Sequence, residues 1–481
     1  MRRITRVSLR PPRITGLGRQ HSSFAHATRA PMLPVWLRRS TSPPPARVDP
    51  RAREWSLLLA NGPVVLLASG AIAAGQAEPL ALFPAALAVL ASVWFACLAL
   101  HGFLRLLRFD GDPLFLPLVS LLFLVGTAYH TDVPSLQPGR FSPSSYTVAV
   151  WIGLGALGAI VALGSGFGRI SRWFEERVWW RVCGDRPYYP SIPFHILLIG
   201  LMCLLGVLLL FGGVEKDGGA LIQVPVGFGF TITPSEFIRL AVAYFLADYL
   251  GRNSQLLRGL REPIGRVWPF NRVFLEPRVE LTVVVVTVGL YLGFFYLFKD
   301  FGPAAVIVVL TLLALYAATG RVLTPLLLGA GLTGAVGFFT WQHIAFHTFG
   351  RRVSMWLEPW EATFYHGDHL ARILWAIASG GWFGMGVGTE RLGARLPLAH
   401  NDAAFAGVAA TMGLWTGLCV LALFAALTWR GMAVARAAPT DRMRLLALCL
   451  TLLLGFQALW ICGAMVRVFP FTGINLPFIS T

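Results

Sequence analysis

Long apolar runs alternate with short polar connectors along almost the whole chain. They fall at 55–76, 80–104, 113–129, 146–167, 193–213, 234–250, 279–298, 302–319, 323–345, 403–429 and 443–466. Each is close to the ~20 residues a helix needs to cross a hydrocarbon layer ~30 Å thick. A helix satisfies its own backbone inside lipid, so the pattern predicts an all-α, polytopic transmembrane bundle of about eleven spans. The 234–250 run is the least regular, because Glu236, Arg239 and Asp248 interrupt it.

Composition removes the soluble alternatives. Apolar residues make up 56% of the chain and charged residues 13%, a balance that cannot cover a water-facing surface. The net charge of +17 suggests nucleic acid by count alone. Its placement points elsewhere: five Arg lie between 168 and 190, six between 250 and 278 and four between 430 and 444, against one between 130 and 145 and none between 214 and 232. Alternate loops are therefore held on the cytoplasmic side, and the amino terminus with them. No nucleic-acid partner is expected. Residues 1–50, with ten Arg and no acid before Asp49, read as a disordered cytoplasmic tail, 51–112 as two additional helices, and 113–481 as the main transmembrane unit.

With that polarity the one large external loop is 346–402. Within it, Leu370–Trp382 is an apolar helical stretch, short or re-entrant, ending in Ser379-Gly380-Gly381. Glycine-rich backbone at membrane depth is tolerated only where it packs in protein or lines a cavity. The loop also concentrates Arg351, Arg352, Glu358, Glu361, Asp368, Arg372, His400 and Asp402. Arginines suit bidentate recognition of a diphosphate, and a carboxylate suits removal of a proton from a sugar hydroxyl. The same charges could equally pair with one another on a solvated surface. Pro234-Ser235-Glu236 reads as a helix start or as a carboxylate set to hold a cation, and Asp300 as a cap of the helix beginning near Pro303. The six cysteines, five of them in apolar runs and none in a C-x-x-C spacing, suggest neither disulfides nor a metal. The histidines at 366, 369 and 400 share no ligand spacing, so no metal site is expected.

Taken in order, Pro234-Ser235-Glu236, Asp300-Phe301-Gly302, Ala376-Ile377-Ala378-Ser379-Gly380-Gly381, Leu396-Pro397-Leu398-Ala399-His400-Asn401-Asp402 and Gly473-Ile474-Asn475-Leu476-Pro477-Phe478-Ile479-Ser480 resemble the motifs of the SEDS family, the FtsW/RodA/SpoVE-type peptidoglycan polymerases. The resemblance covers about 113–481. It implies a bacterial inner-membrane glycosyltransferase in cell wall synthesis, cell shape or division, acting on an undecaprenyl-linked disaccharide-pentapeptide beside a transpeptidase of the class B penicillin-binding type. No cofactor is implied, although a divalent cation could accompany the lipid diphosphate. On this reading Arg351, Arg352 and Arg372 hold the diphosphate, Ser379, Gly380, Gly381, His400 and Asp402 line the substrate site, and Ser235, Glu236, Asp300, Pro477 and Ser480 support it. The family's catalytic Asp falls at Ala362, in Pro359-Trp360-Glu361-Ala362, so Glu361 or Asp368 must serve as base. The chain also ends at Ser480-Thr481, where the resemblance predicts one more helix. Both departures favour a second reading, a non-catalytic scaffold for a transpeptidase, and the polar groups at membrane depth permit a third, a flippase for a lipid-linked saccharide.

Overall fold

The computed structural model describes residues 50–74, 79–131, 144–174, 214–216, 220–227, 230–232, 234–259, 262–263, 274–275, 278–297, 301–341, 353, 355–360, 367–387, 396 and 401–480. Every expected apolar segment among them is helical; 193–213 and the tail at 1–49 lie outside the described residues. The helices are α1 (Pro50–Ala60), α2 (Gly62–Ala74), α3 (Pro79–Leu106), α4 (Phe115–His130), α5 (Ser145–Phe174), α6 (Pro234–Arg252), α7 (Ser254–Gly259), α8 (Arg278–Leu297), α9 (Phe301–Thr319), α10 (Leu323–Trp341), α11 (Gly367–Gly380), α12 (Ala404–Ala437) and α13 (Asp441–Met465). Among the described residues, six stretches are long and apolar enough to span a membrane: 51–74, 79–106, 145–163, 302–319, 404–437 and 441–465. The chain is a multi-pass membrane protein.

Three local features depart from the expected pattern. The first apolar run is two helices, because Pro63 cannot donate a backbone hydrogen bond. Beside the break the Leu58 carbonyl accepts from Asn61 N at 3.2 Å and Trp94 Nε1 at 2.8 Å. The Asn61 side chain ties the break to α4 through Pro117 O at 3.1 Å and Ser120 Oγ at 2.6 Å. Second, the connector before α6 is not plain loop: β1 (Val214–Lys216), β2 (Ala220–Gly227) and β3 (Phe230–Ile232) form an antiparallel ribbon. A smaller ribbon pairs β4 (Glu262–Pro263) with β5 (Phe274–Leu275). Third, α12 is a broken helix: Gly413 has φ 87° and ψ 164° within it.

Among the described residues two apolar cores are present. One is built from α1 to α5, around Leu58, Val89, Leu90, Val93 and Cys97. The other is built from α6 to α13, around Val242, Leu246, Ile307, Leu448 and Ile461. Helix α4 belongs to both, giving Leu116 and Leu124 to the first and Leu122 and Tyr129 to the second.

Among the described residues, connector arginines gather at one end of this bundle and several are paired there. Asp248 binds Arg442 at 2.6 Å and Arg252 at 3.0 Å, Arg258 meets Asp441 at 3.4 Å, and Asp112 pairs with Arg430. Arg321 Nη2 donates to Arg258 O at 2.8 Å.

Candidate functional site

The opposite end is organised around the segment that follows α13. The chain turns at Arg467, φ 63°, whose Nε and Nη2 donate to Trp356 O at 3.1 Å and Leu357 O at 2.7 Å. It then runs as a strap, 468–480, without regular structure, across the ends of five helices. Phe471 packs edge-on to His369 of α11, with centroids 5.1 Å apart. Gly302, in the first turn of α9, lies so close to Thr472 O and Ile474 that a methyl there would meet them at 2.9 and 2.6 Å. Gly473, φ 66°, lies beside Asp402, where a methyl would sit 3.2 Å from Oδ2. The strap's last turn is pinned by Ser480 Oγ, which accepts from Leu476 N and donates to Asn401 O, both at 2.8 Å. His130 Nε2 lies 2.8 Å from Ile479 O, and Tyr146 Oη donates to Phe478 O. Pro477 opens that turn.

Four of the five motifs therefore meet on the strap: the starts of α6, α9 and α12, and the strap itself. For α6 the link is a buried polar relay. Helix α6 begins at Pro234, with Glu236 in its first turn, as both readings of Pro-Ser-Glu require. Glu236 pairs with Arg239, whose Nε also points at Ser235 O at 3.4 Å. Arg239 Nη1 donates to Gln457 Oε1 at 2.7 Å, and Gln457 Nε2 donates to Asn475 O at 2.9 Å. The Arg239 side chain is 1% exposed. Burying a guanidinium costs several kcal/mol unless it is paired and hydrogen-bonded, which is what Glu236 and Gln457 provide. In the sequence Arg239 reads as an interruption, Asn475 only as one position of a motif, and Gln457 carries no signal of its own. The available signal was the cost itself: a lone Arg and a lone Gln inside apolar spans are expensive unless they find one another.

The fifth motif joins through α12. At the end of α11 the chain makes a glycine turn, with Gly381, Gly384 and Gly386 at φ 55°, 84° and 100°. The turn is spliced into the break at Gly413 by four backbone hydrogen bonds. Met385 N and Gly386 N donate to the Ala410 and Thr411 carbonyls at 2.9 and 3.0 Å, while Leu414 N and Trp415 N donate to the Gly381 and Trp382 carbonyls at 2.9 and 3.4 Å. The groups that a broken helix orphans are thus satisfied by the turn. A methyl at Gly380 would come within 2.6 Å of Ala410 Cα, so glycine also permits the close approach of α11 to α12. The 34 residues of α12 amount to ~51 Å, far more than a bilayer core needs, and the part after the break, 414–437, reaches ~36 Å alone. Trp382, Phe383 and Trp415 are exposed at the break, as aromatic residues are at a lipid–water boundary. Helix α11 is accordingly the short-helix form of the expected element, packed on the head of α12. Ser379 Oγ donates to Ala376 O at 2.9 Å.

On α11, Asp368 and Arg372 form a side-on pair one turn apart: Nε to Oδ1 at 2.8 Å and Nη2 to Oδ2 at 2.7 Å. The hydrogen bond to the carboxylate, and then its charge, raise the Arg372 pKa above the ordinary value. Both groups are more than a third exposed, so the pair adds little to stability and mainly fixes where the guanidinium points. Its Nη1 edge has no partner among the described residues. Arg351, Arg352, Glu361, Ala362, His400 and Asp300 lie outside the described residues, as does His366.

An Arg-flanked helical bundle with a buried ionic relay and paired charges at one end defines a polytopic membrane protein with a polar site on one face. The family model described as cell cycle protein, FtsW/RodA/SpoVE, matches residues 186–481. The stage V sporulation protein E of Bacillus subtilis is 30% identical over 299 residues, 61% of this chain and 75% of that protein. A probable peptidoglycan glycosyltransferase FtsW of Halorhodospira halophila is 32% identical over 293 residues, 59% of this chain and 68% of its own. The peptidoglycan glycosyltransferase RodA of Mycobacterium tuberculosis is 26% identical over 378 residues, 77% of this chain and 73% of its own. A solved chain described under structural coordination of polymerization and crosslinking by a peptidoglycan synthase complex aligns with a TM-score of 0.51 at 21% identity, over 77% of this chain and 92% of that one, which supports the fold. This chain belongs to the FtsW/RodA/SpoVE family.

Proposed function

We propose that the protein is a peptidoglycan glycosyltransferase-like component of bacterial cell wall synthesis, acting on a lipid-linked disaccharide-pentapeptide at the strap end of the bundle. The observation that carries this reading is the meeting of the α6, α9 and α12 motif residues on the strap, with Asp402 beside Gly473 and Glu236 tied through Arg239 and Gln457 to Asn475. Arg372, oriented by Asp368 and with its Nη1 edge open, suits one oxygen of a diphosphate, alongside Arg351 and Arg352. Glu361 and Asp368 are the candidate bases; Ser379, Gly380, Gly381, His400 and Asp402 line the site, with Ser235, Asp300, Pro477 and Ser480 in support. A divalent cation on the diphosphate is compatible with this chemistry. The site lies outside the cytoplasm, the amino terminus inside, in the inner membrane, since the arginine-rich end is the one the membrane potential and anionic lipid retain. The partner is a class B penicillin-binding transpeptidase.

The test is polymerisation of lipid-linked disaccharide-pentapeptide by the purified chain. Polymer formation that is lost in Glu361→Ala or Asp368→Ala supports the assignment of a base. Ala362, at the place of the family's acid, favours a second reading, a non-catalytic scaffold for the transpeptidase. No polymer from the wild type, polymer from Ala362→Asp, and co-purification with the transpeptidase together decide for the scaffold.

A further inference from the structure

The strap is also gripped by two residues that belong to none of the five motifs. His130 ends α4 and Tyr146 lies in the first turn of α5, where these helices reach the strap end of the bundle. Their rings stack with centroids 4.6 Å apart and planes 16° apart, and Tyr129 meets His130 edge-on at 4.9 Å. His130 and Tyr146 are 7% and 4% exposed. Two glycines make this packing possible: a methyl on Gly126 of α4 would overlap Tyr146 Oη, and one on Gly407 of α12 would overlap Tyr129 Oη. Tyr146 therefore crosses α4 through a gap cut for it, with its hydroxyl aimed at the strap.

The turn these residues grip does not hold itself. Phe478 has φ 63°, a conformation that a bulky residue keeps only where its surroundings over-determine it. Its ring lies edge-on to Phe123 at 5.6 Å and parallel to Phe424 at 6.5 Å, but part of it faces a cavity of about 980 Å³ between α4, α5 and the α12–α13 junction. Packing on that side is incomplete, and the carbonyls carry the restraint: Tyr146 Oη donates to Phe478 O, and His130 Nε2 lies 2.8 Å from Ile479 O. A carbonyl only accepts, so Nε2 carries the hydrogen. The turn's own backbone supplies Ile479 N and Ser480 N to a single acceptor, Leu476 O, at 3.3 and 2.9 Å. Ser480 Oγ passes the order on to Asn401 O at 2.8 Å, the carbonyl that also accepts from Ala404 N at 3.3 Å, and Asp402 is the next residue.

We propose that Tyr146 and His130 are positioning residues of the strap site. Through the Phe478 and Ile479 carbonyls they hold the turn 476–480, and through Ser480 they hold Asn401 and Asp402, in the arrangement that receives a lipid-linked saccharide. The saccharide rests on the function proposed above; the grip on the strap does not. Such a residue touches no substrate and acts by keeping the competent arrangement populated, so its loss weakens apparent affinity in proportion to the population lost.

The test combines hydrogen exchange of the full chain in detergent with native mass spectrometry of the same samples, titrated with lipid-linked disaccharide-pentapeptide. Tyr146→Phe removes one hydroxyl and keeps the stacked ring. Exchange across 476–480 and at Ala404 should rise about 10- to 100-fold, as for a buried carbonyl that loses its donor, with α13 unchanged. His130→Phe should do the same, and His130→Gln, which returns a donor near the Nε2 position, should recover part of the protection. For a turn open about one-tenth of the time, that rise leaves roughly half to a tenth of the sites competent, so the Kd for the saccharide should increase about two- to tenfold in Tyr146→Phe. Exchange at 476–480 unchanged in both Tyr146→Phe and His130→Phe overturns the grip. Faster exchange with a wild-type Kd overturns the positioning role. A wild type that binds no saccharide overturns that role together with the proposed function, while the exchange result still decides for or against the grip.

Discussion

Replacing Gly413 with alanine should open the α11–α12 splice. Its φ of 87° with ψ of 164° lies in a region that only glycine occupies readily, at a cost of about 1–3 kcal/mol for any other residue. The added methyl would also sit 2.6 Å from Gly384 N and against Trp382 O, atoms of backbone that cannot rotate away. Relief requires the two strands of the splice to part, breaking at least the Leu414–Gly381 and Trp415–Trp382 hydrogen bonds. With the strain and a net ~1–1.5 kcal/mol for each of the two hydrogen bonds lost, the total is about 3–6 kcal/mol, at the high end for a single substitution. Cys449 and Cys462 on α13 are buried in the core that α12 also helps to build, and the rate at which a thiol reagent reaches them reads the open population. That rate should rise on the order of 10²- to 10⁴-fold in Gly413→Ala. Gly381→Ala is the control: φ is 55°, nothing lies within 4 Å of the added methyl, and only the left-handed strain of about 1–2 kcal/mol applies. Cys97, in the other core, should stay near the wild-type rate. If Gly413→Ala labels no faster than Gly381→Ala, the splice does not hold α12 together and the reasoning fails.

Gln457→Leu removes the Arg239 and Asn475 contacts at once, a charge-assisted loss of ~1.5–3 kcal/mol that should speed amide exchange across 473–480 about 10- to 100-fold. Gln457→Glu keeps the acceptor for Arg239 and should recover part of that protection. Ser480→Ala loses the two hydrogen bonds of its hydroxyl and should raise exchange at Leu476 with little effect on α13, a difference that hydrogen exchange resolves by segment. Asp112→Ala strands Arg430, which is only one-third exposed, and should destabilise the α4–α12 contact by roughly 1–2 kcal/mol. The exchange of both charges, Asp112→Arg with Arg430→Asp, should restore thermal stability if the pair rather than either residue alone is responsible.

The apolar periodicity determined the helices, because a chain in lipid must hydrogen-bond within each span and no other local solution exists. The arginine distribution likewise marked one end of the bundle before any coordinates, since charge placement in loops is a local property. Pro234 and Glu236 announced the start of α6 by the same local logic. What tertiary structure alone decided is who meets whom. Nothing near Gln457 in the sequence points to Arg239, 218 residues away, yet burial makes each the other's solvent. Gly413 looks like any helical glycine until the turn at 381–386 takes over the hydrogen bonds its break releases. The strap carries few helix signals, and its meaning comes from the helix ends it crosses, a relation set by packing and invisible to any window of residues.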